Sequence, residues 1–205
     1  MSKDNLGLVH VYTGDGKGKS TTAFGMALRG IGQNLRIKII QFLKGGYYTG
    51  EYIAIQNYLS NMIEIEQYGK MCLKENVQVK LDENIYKGFY IRTEEDCGDC
   101  RHCFTSDAEE KAFVSEALQR AKKIINSGEY DMVFLDEINN CIAKGLISVD
   151  EILEMISSKP AKMELILTGR NAPDKIKKIA DLVTNMQMEK HPFEKGIFAR
   201  RGIEF

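Results

Sequence analysis

Glycines and lysines crowd residues 13–20, which read TGDGKGKS. The spacing matches the phosphate-loop pattern G-x-x-x-x-G-K-[ST] at every position except the first, where Thr13 replaces glycine. The three glycines let backbone N–H groups turn toward phosphate oxygens at the start of a helix, and Lys17 and Lys19 add positive charge. The stretch therefore predicts a binding site for a phosphate chain, which we call the phosphate loop; a glycine- and lysine-rich surface turn is the alternative.

A pair of carboxylates, Asp136 and Glu137, follows the apolar run MVFL. In phosphate-loop proteins, a carboxylate at the end of a neighbouring strand holds or orients a magnesium ion. Ser20, the last residue of the loop pattern, supplies a hydroxyl suited to the same ion. These three side chains predict a magnesium site beside the phosphates, although an acidic pair at the end of a strand is also a common start of an ordinary loop.

Arg170 closes another apolar run, LILTGR. At the end of a strand it would lie at the carboxyl edge of the sheet, where ligands of α/β proteins bind. A guanidinium at this edge can hold a triphosphate through paired hydrogen bonds. A solvated surface arginine is the alternative interpretation.

Apolar runs alternate with helical patterns along the chain, and the connections are long enough for crossover helices. This alternation predicts an α/β fold with a mostly parallel sheet and helices on both faces. Together with the phosphate loop, it resembles the P-loop NTPase-like (RecA-like) type. The clearest helix is predicted to begin at Asp107, with Glu110 three residues later, and to end at Gly128. The predicted strands are residues 8–12, 36–43, 62–68, 131–137, 164–170 and 181–188.

Composition limits the possible classes of protein. A length of 205 residues fits a single domain spanning residues 1–205, and 28 basic against 29 acidic residues leave a net charge of −1. No overall positive charge favours nucleic acid or an anionic membrane as a partner. We see no apolar run with the length of a membrane span or signal peptide, so we expect a cytoplasmic protein.

Residues 70–105 break the alternation of strands and helices. They are charged, carry tyrosines and cysteines, and show no crossover pattern, so we interpret them as a cysteine-rich insertion in the domain. The chain has five cysteines in all. An odd number in a cytosolic chain favours free thiols or a metal site over a set of disulfides.

Three cysteines of the insertion, Cys97, Cys100 and Cys103, repeat at a spacing that lets thiolates converge on one ion. Cys72 is the natural fourth ligand because it would close the insertion into a metal-bound loop, and His102 is the alternative. The pattern favours a structural zinc site, with an iron–sulfur cluster or free thiols as the remaining possibilities.

Four blocks resemble, in order, the ATP:cob(I)alamin adenosyltransferases of the phosphate-loop type, the corrinoid adenosyltransferase family. They are TGDGKGKST, QFLKG, LDEI and a closing series made of TGR, ADLVTNM and KHPFEKGIFARRGIEF. The blocks span roughly the whole chain outside the insertion. The closing series is much more specific than a phosphate loop alone, and the family's own loop also begins with threonine.

The resemblance implies an unusual use of ATP. The cobalt(I) of a corrinoid attacks C5′ of the ribose, giving adenosylcobalamin and inorganic triphosphate. No protein nucleophile or general base is needed, because the cobalt is the nucleophile. The resemblance also implies Mg²⁺ as a cofactor, an electron donor such as a flavoprotein that reduces the cobalt, and a homodimer.

The resemblance assigns roles to individual residues. Lys17, Lys19, Arg170 and Glu137 are the predicted catalytic residues, because they would stabilise the departing triphosphate or its metal ion. Phe104 resembles one of the family's aromatic residues that face the corrinoid; the alternatives for this role are Tyr68, Tyr86, Phe89 and Tyr90. The implied ATP-binding residues are Thr13, Gly14, Asp15, Gly16, Lys17, Gly18, Lys19, Ser20, Thr21, Arg29 and Arg170.

Two other classes of function fit part of the sequence. A zinc-bearing nucleoside kinase would explain the phosphate loop and the cysteines, but it leaves the closing series unexplained and has only Glu137 as an obvious base. A non-catalytic ATP-binding switch, with the insertion as its partner surface, explains less still.

Overall fold

The computed structural model describes residues 5–46, 49–71, 77–81, 88–92, 107–197, 199–200 and 202–204. Its strands are β1 (Val9–Thr13), β2 (Ile37–Phe42), β3 (Ile63–Tyr68), β4 (Val77–Leu81), β5 (Gly88–Arg92), β6 (Met132–Asp136), β7 (Glu164–Thr168) and β8 (Leu182–Asn185). Six of them form one sheet in the order β3-β2-β6-β7-β1-β8, and every neighbouring pair is parallel. All six predicted strands are confirmed.

Helices connect these strands. They are α1 (Lys19–Ile31), α2 (Gly50–Ala54), α3 (Ala108–Ser127), α4 (Ile138–Ala143), α5 (Val149–Ser158) and α6 (Asp174–Ile179). A π-helical turn, Ile55–Leu59, continues α2, and a 3₁₀ turn, Pro192–Lys195, follows β8. Among the described helices, none is long and apolar enough to cross a membrane.

The strands bury both of their faces. On β6, Val133 and Leu135 pack into a core cluster with α3, α4, α5 and α6, whereas Met132 and Phe134 pack into a second cluster with α1 and α2. A parallel sheet covered on both sides needs apolar residues at successive positions, which is why its strands read as continuous apolar runs. The prediction of helices on both faces is confirmed.

Helix α3 has the predicted ends. The Asp107 side chain accepts a hydrogen bond of 3.0 Å from the backbone N–H of Glu110, and Gly128 ends the helix at a φ of 65°. Ala117 and Ala121 are completely buried against the sheet. This helix is a structural support for the core and contributes no predicted site residue.

Strands β4 and β5 form a separate antiparallel sheet. Both lie within the residues that we interpreted as an insertion. The sequence pattern did not indicate either strand, so the pairing is an addition to the predicted fold.

Candidate active site

The phosphate loop connects β1 to α1. Gly14 and Gly18 adopt φ values of 104° and 106°, a left-handed region that side chains rarely enter. A Cβ atom on Gly14 would lie 2.2 Å from the carbonyl oxygen of Met186. The loop therefore needs glycine both for its conformation and for its close approach to the residues that follow β8.

Residues after β8 hold the loop through the backbone. Gly16 N–H donates to the Met186 carbonyl and Met186 N–H donates to the Thr13 carbonyl, each at 2.8 Å. Asp15, which we predicted to bind ATP, accepts from the Met188 N–H at 3.2 Å. These contacts give the ADLVTNM block a physical role, because it supports the shape of the loop.

Lys19 lies at the centre of the site and is 7% exposed. Its ammonium donates to the Gly16 carbonyl at 2.5 Å. Burial lowers the pKa of Lys19, the positive charge of Arg170 lowers it further, and the carboxylates of Glu137 and Asp15 oppose the shift. Lys19 is thus close enough to Arg170 and Glu137 for their charges to act on it.

Four polar side chains form a row across β3, β2, β6 and β7 at the carboxyl end of the sheet; we call this row the polar ladder. Gln67 donates to Gln41 at 2.7 Å, Gln41 donates to Asp136 at 2.9 Å, and the Thr168 hydroxyl donates to Asp136 at 2.7 Å. Gln67 lies opposite Gln41 in the strand register, and Gln41 lies opposite Asp136. The ladder fixes Asp136 from both sides.

Asp136 is 1% exposed and also accepts from the Lys44 ammonium at 2.9 Å. Burial alone would raise the pKa of this carboxyl, but Lys44, Thr168 and Gln41 hold it below its ordinary value. Burial likewise acts to lower the pKa of Lys44, and the charges of Asp136 and Glu51 more than reverse this. Asp136 is therefore a charged group already paired with protein donors.

Glu137 has a different environment. Its backbone adopts a φ of 66°, and its N–H donates to the Thr168 hydroxyl at 3.0 Å. The carboxylate accepts from the Asn140 side chain at 2.5 Å. Burial and the adjacent charge of Asp136 raise the pKa of Glu137, while Lys44, Lys19 and Arg170 partly offset the increase. A cation near this carboxylate would favour its charged form and lower its pKa again.

The TGR block forms a tight turn beside Glu137. Gly169 has a φ of 122°, and a Cβ atom there would lie 3.0 Å from the backbone nitrogen of Asn140. The Arg170 N–H donates to the Asn140 side chain at 2.6 Å, so the turn and the start of α4 are joined. The Arg170 side chain is exposed, which leaves its guanidinium free to approach a ligand.

The model of one protein family, ATP:corrinoid adenosyltransferase BtuR/CobO/CobP, matches residues 5–205. The chain belongs to this adenosyltransferase family. A corrinoid adenosyltransferase of Sinorhizobium sp. is 34% identical over 98% of this chain and 82% of its own length. Those of Pseudomonas aeruginosa and Escherichia coli K12 are 30% and 28% identical over 100% of this chain, and over 87% and 89% of their own lengths.

Membership of the adenosyltransferase family makes the chain a transferase that moves an adenosyl group from ATP to a corrinoid. The resemblance inferred from the four sequence blocks is confirmed. The nucleoside kinase alternative is unsupported, because the family model and the named relatives all indicate adenosyl transfer to a corrinoid.

Sequence reasoning missed several residues of this adenosyltransferase site. Thr168, Gln41, Lys44 and Asn140 all contact Asp136, Glu137 or the TGR turn. Two signals were available, because QFLKG contains Gln41 and Lys44, and TGR contains Thr168. The sequence of these blocks does not show which strands are neighbours in the sheet, so the contacts with Asp136 could not be predicted.

Three further residues that we predicted to bind ATP lie on α1. Ser20 lies in the first turn of α1 next to Lys19, and Thr21 is exposed. Arg29 lies in the last turn of α1, ten residues beyond Lys19, which is about 15 Å along the helix axis. Its charge acts on Tyr12, whose pKa is raised by burial and partly lowered by Arg29.

The predicted zinc ligands are four cysteines, and the predicted corrinoid contact is an aromatic side chain. Cys72, Cys97, Cys100, Cys103 and Phe104 lie outside the described residues. Within the part of the chain that the structure describes, no three His, Cys, Asp or Glu side chains group closely enough to hold a metal ion.

Proposed function

We propose that the protein transfers the 5′-deoxyadenosyl group of ATP to the cobalt(I) of a corrinoid and releases inorganic triphosphate. The observation that carries this proposal is the convergence of Lys19, Arg170 and Glu137 beside a glycine-lined loop. Family membership supplies the substrates, and the loop supplies a place for the leaving group.

The reaction forms a cobalt–carbon bond and breaks the C5′–O bond of ATP. Cobalt(I) provides the electron pair for the new bond, and the triphosphate leaves with the pair of the broken one. Negative charge therefore accumulates on the triphosphate, where backbone N–H groups of the loop and the side chains of Lys17, Lys19 and Arg170 stabilise it. The protein needs no nucleophile of its own.

Mg²⁺, when bound, would neutralise part of the phosphate charge. Glu137 and Ser20 fit this ion, because the Glu137 carboxylate lies beside the loop with a raised pKa and Ser20 begins α1. Asp136 fits less well as a direct ligand, because Gln41, Lys44 and Thr168 already bind its oxygens. We assign Asp136 the role of holding Lys44 and Thr168 in place.

We propose that Phe104 faces the corrinoid and that the cysteines of residues 70–105 hold a structural zinc ion. The cobalt must arrive as cobalt(I), so an electron donor such as a flavoprotein is a required partner. We also propose a cytoplasmic homodimer in which residues 1–205 form one domain.

A product assay tests the function. Under anaerobic conditions, ATP, Mg²⁺ and chemically reduced cob(I)alamin should yield light-sensitive adenosylcobalamin and intact triphosphate in equal amounts, detected by visible absorbance and phosphorus NMR. Formation of ADP together with a phosphorylated nucleoside would contradict the proposal and favour a kinase.

A further inference from the structure

Near the end of the chain, Glu204 reaches back to the phosphate loop. Its carboxylate lies 3.7 Å from the Lys17 ammonium, a distance that suits an ion pair but is too long for a hydrogen bond. The Glu204 side chain is 10% exposed, whereas that of Lys17 is 47% exposed. Lys17 therefore faces a fixed carboxylate on one side and open space on another.

Arg200 fixes the Glu204 carboxylate independently of Lys17. The Arg200 backbone N–H donates to Oε2 at 2.7 Å, and its guanidinium donates to Oε1 at 3.1 Å and to Oε2 at 3.3 Å. A fork of this kind holds a carboxylate in a defined orientation. Arg200 also lowers the pKa of Glu204 to about 2, so the group is charged at neutral pH.

Lys17 is at the same time one of the two loop lysines that we assign to the triphosphate. Lys17 is about half exposed and meets Glu204 only at 3.7 Å, so the ion pair contributes a modest free energy and Lys17 can leave Glu204 at low cost. A triphosphate, with several negative charges, is a stronger partner for the ammonium than a single carboxylate. A phosphate bound by Lys17 would, however, lie close to the like charge of Glu204.

We propose that Glu204 is a positioning residue that holds Lys17 at the loop and competes with triphosphate for it, which promotes release of the triphosphate product. When ATP binds, Lys17 exchanges the Glu204 carboxylate for phosphate. When the triphosphate departs, Glu204, kept in place by Arg200, takes Lys17 back. This inference rests on the proposed function, because it assigns triphosphate as the product that leaves the loop.

The test is the affinity for tripolyphosphate, measured by calorimetry with Mg²⁺ and without any corrinoid. Glu204→Gln keeps the shape of the side chain and removes its charge, and should bind tripolyphosphate about 5-fold more tightly than the wild type. Tripolyphosphate should also inhibit the transfer reaction of this variant at correspondingly lower concentration. The matched control is Glu194→Gln, which removes an exposed carboxylate from the 3₁₀ turn and should change the affinity less than 2-fold.

A double-mutant cycle separates the specific pair from a general change in charge. In a Lys17→Gln background, adding Glu204→Gln should raise tripolyphosphate affinity clearly less than it does in the wild type, because only the repulsion between Glu204 and phosphate is then removed. An equal gain in both backgrounds, or an unchanged or weaker affinity in the single variant, would overturn the proposal. Because the binding measurement needs no adenosyl transfer, failure of this inference is distinguishable from failure of the proposed reaction.

Discussion

Asp136 and Glu137 are adjacent in sequence, but their surroundings shift their pKa values in opposite directions. The lower pKa of Asp136 reflects Lys44, Thr168 and Gln41, which outweigh its burial, and the higher pKa of Glu137 reflects burial and the charge of Asp136. Environments that separate two carboxyl groups in this way usually separate their roles. Asp136 is the fixed charge, and Glu137 is the group available to a cation.

Thr168 connects the two carboxylates, since its hydroxyl donates to Asp136 and accepts from the Glu137 N–H. Thr168→Val keeps the volume but leaves both groups without this partner in a site with no solvent exposure. We expect a loss of roughly 1–3 kcal/mol in the free energy of unfolding, measured by urea denaturation. Thr168→Ser retains the hydroxyl and should lose much less; equal losses in the two variants would contradict this role.

Lys19 is more buried than Lys17, so we expect its effect on the leaving triphosphate to be the less weakened by water. Lys19→Ala should lower kcat for adenosyl transfer by about two to three orders of magnitude, as expected for loss of one electrostatic stabiliser. Steady-state kinetics with saturating ATP measures this. Lys123→Ala, on the exposed side of α3, is the control and should leave kcat unchanged; near-normal turnover of Lys19→Ala would remove the loop lysine from the mechanism.

At the scale of elements, the phosphate loop depends on the residues after β8 as much as on its own glycines. Gly14→Ala adds a Cβ atom 2.2 Å from the Met186 carbonyl oxygen at a φ of 104°, so the loop must move. We expect ATP to bind about 10- to 100-fold more weakly, which corresponds to roughly 1–3 kcal/mol of strain. Calorimetric titration with ATP and Mg²⁺ measures the effect.

Gly128→Ala is the matched control for the loop variant. Gly128 also has a positive φ, 65°, but no atom lies within 4 Å of the added Cβ. Its cost should be about 1 kcal/mol of stability, with no change in ATP affinity. If both variants bind ATP with the affinity of the wild type, the close packing of Gly14 against Met186 is not required for ATP binding.

The helices and strands could be predicted from the sequence wherever a local residue pattern determines them. The parallel strands are apolar runs because both faces are buried, and α3 carries its own cap at Asp107. The polar ladder was not predictable, because the contact between Gln41 and Asp136 depends on strand order and register across 95 residues. The left-handed backbone conformation of Glu137 could not be predicted either, because an acidic residue does not by itself indicate that conformation.

At the scale of the whole molecule, the sheet order places β1 between β7 and β8. The strand that leads into the phosphate loop is therefore paired on both sides by strands from the far end of the sequence. Contacts of such long separation carry a large entropic cost before they form, so β1 is expected to join the sheet late in folding.

This arrangement has a consequence for the newly made protein on the ribosome. Asp15 and Met188, which bind each other at the loop, are separated by 173 residues. At about 5–20 residues per second, the loop sequence emerges on the order of 10 to 30 seconds before the segment that completes it. Throughout that interval the nascent chain carries the phosphate loop without the segment that supports it, so the loop can take its final shape only after β8 and Met188 have been made.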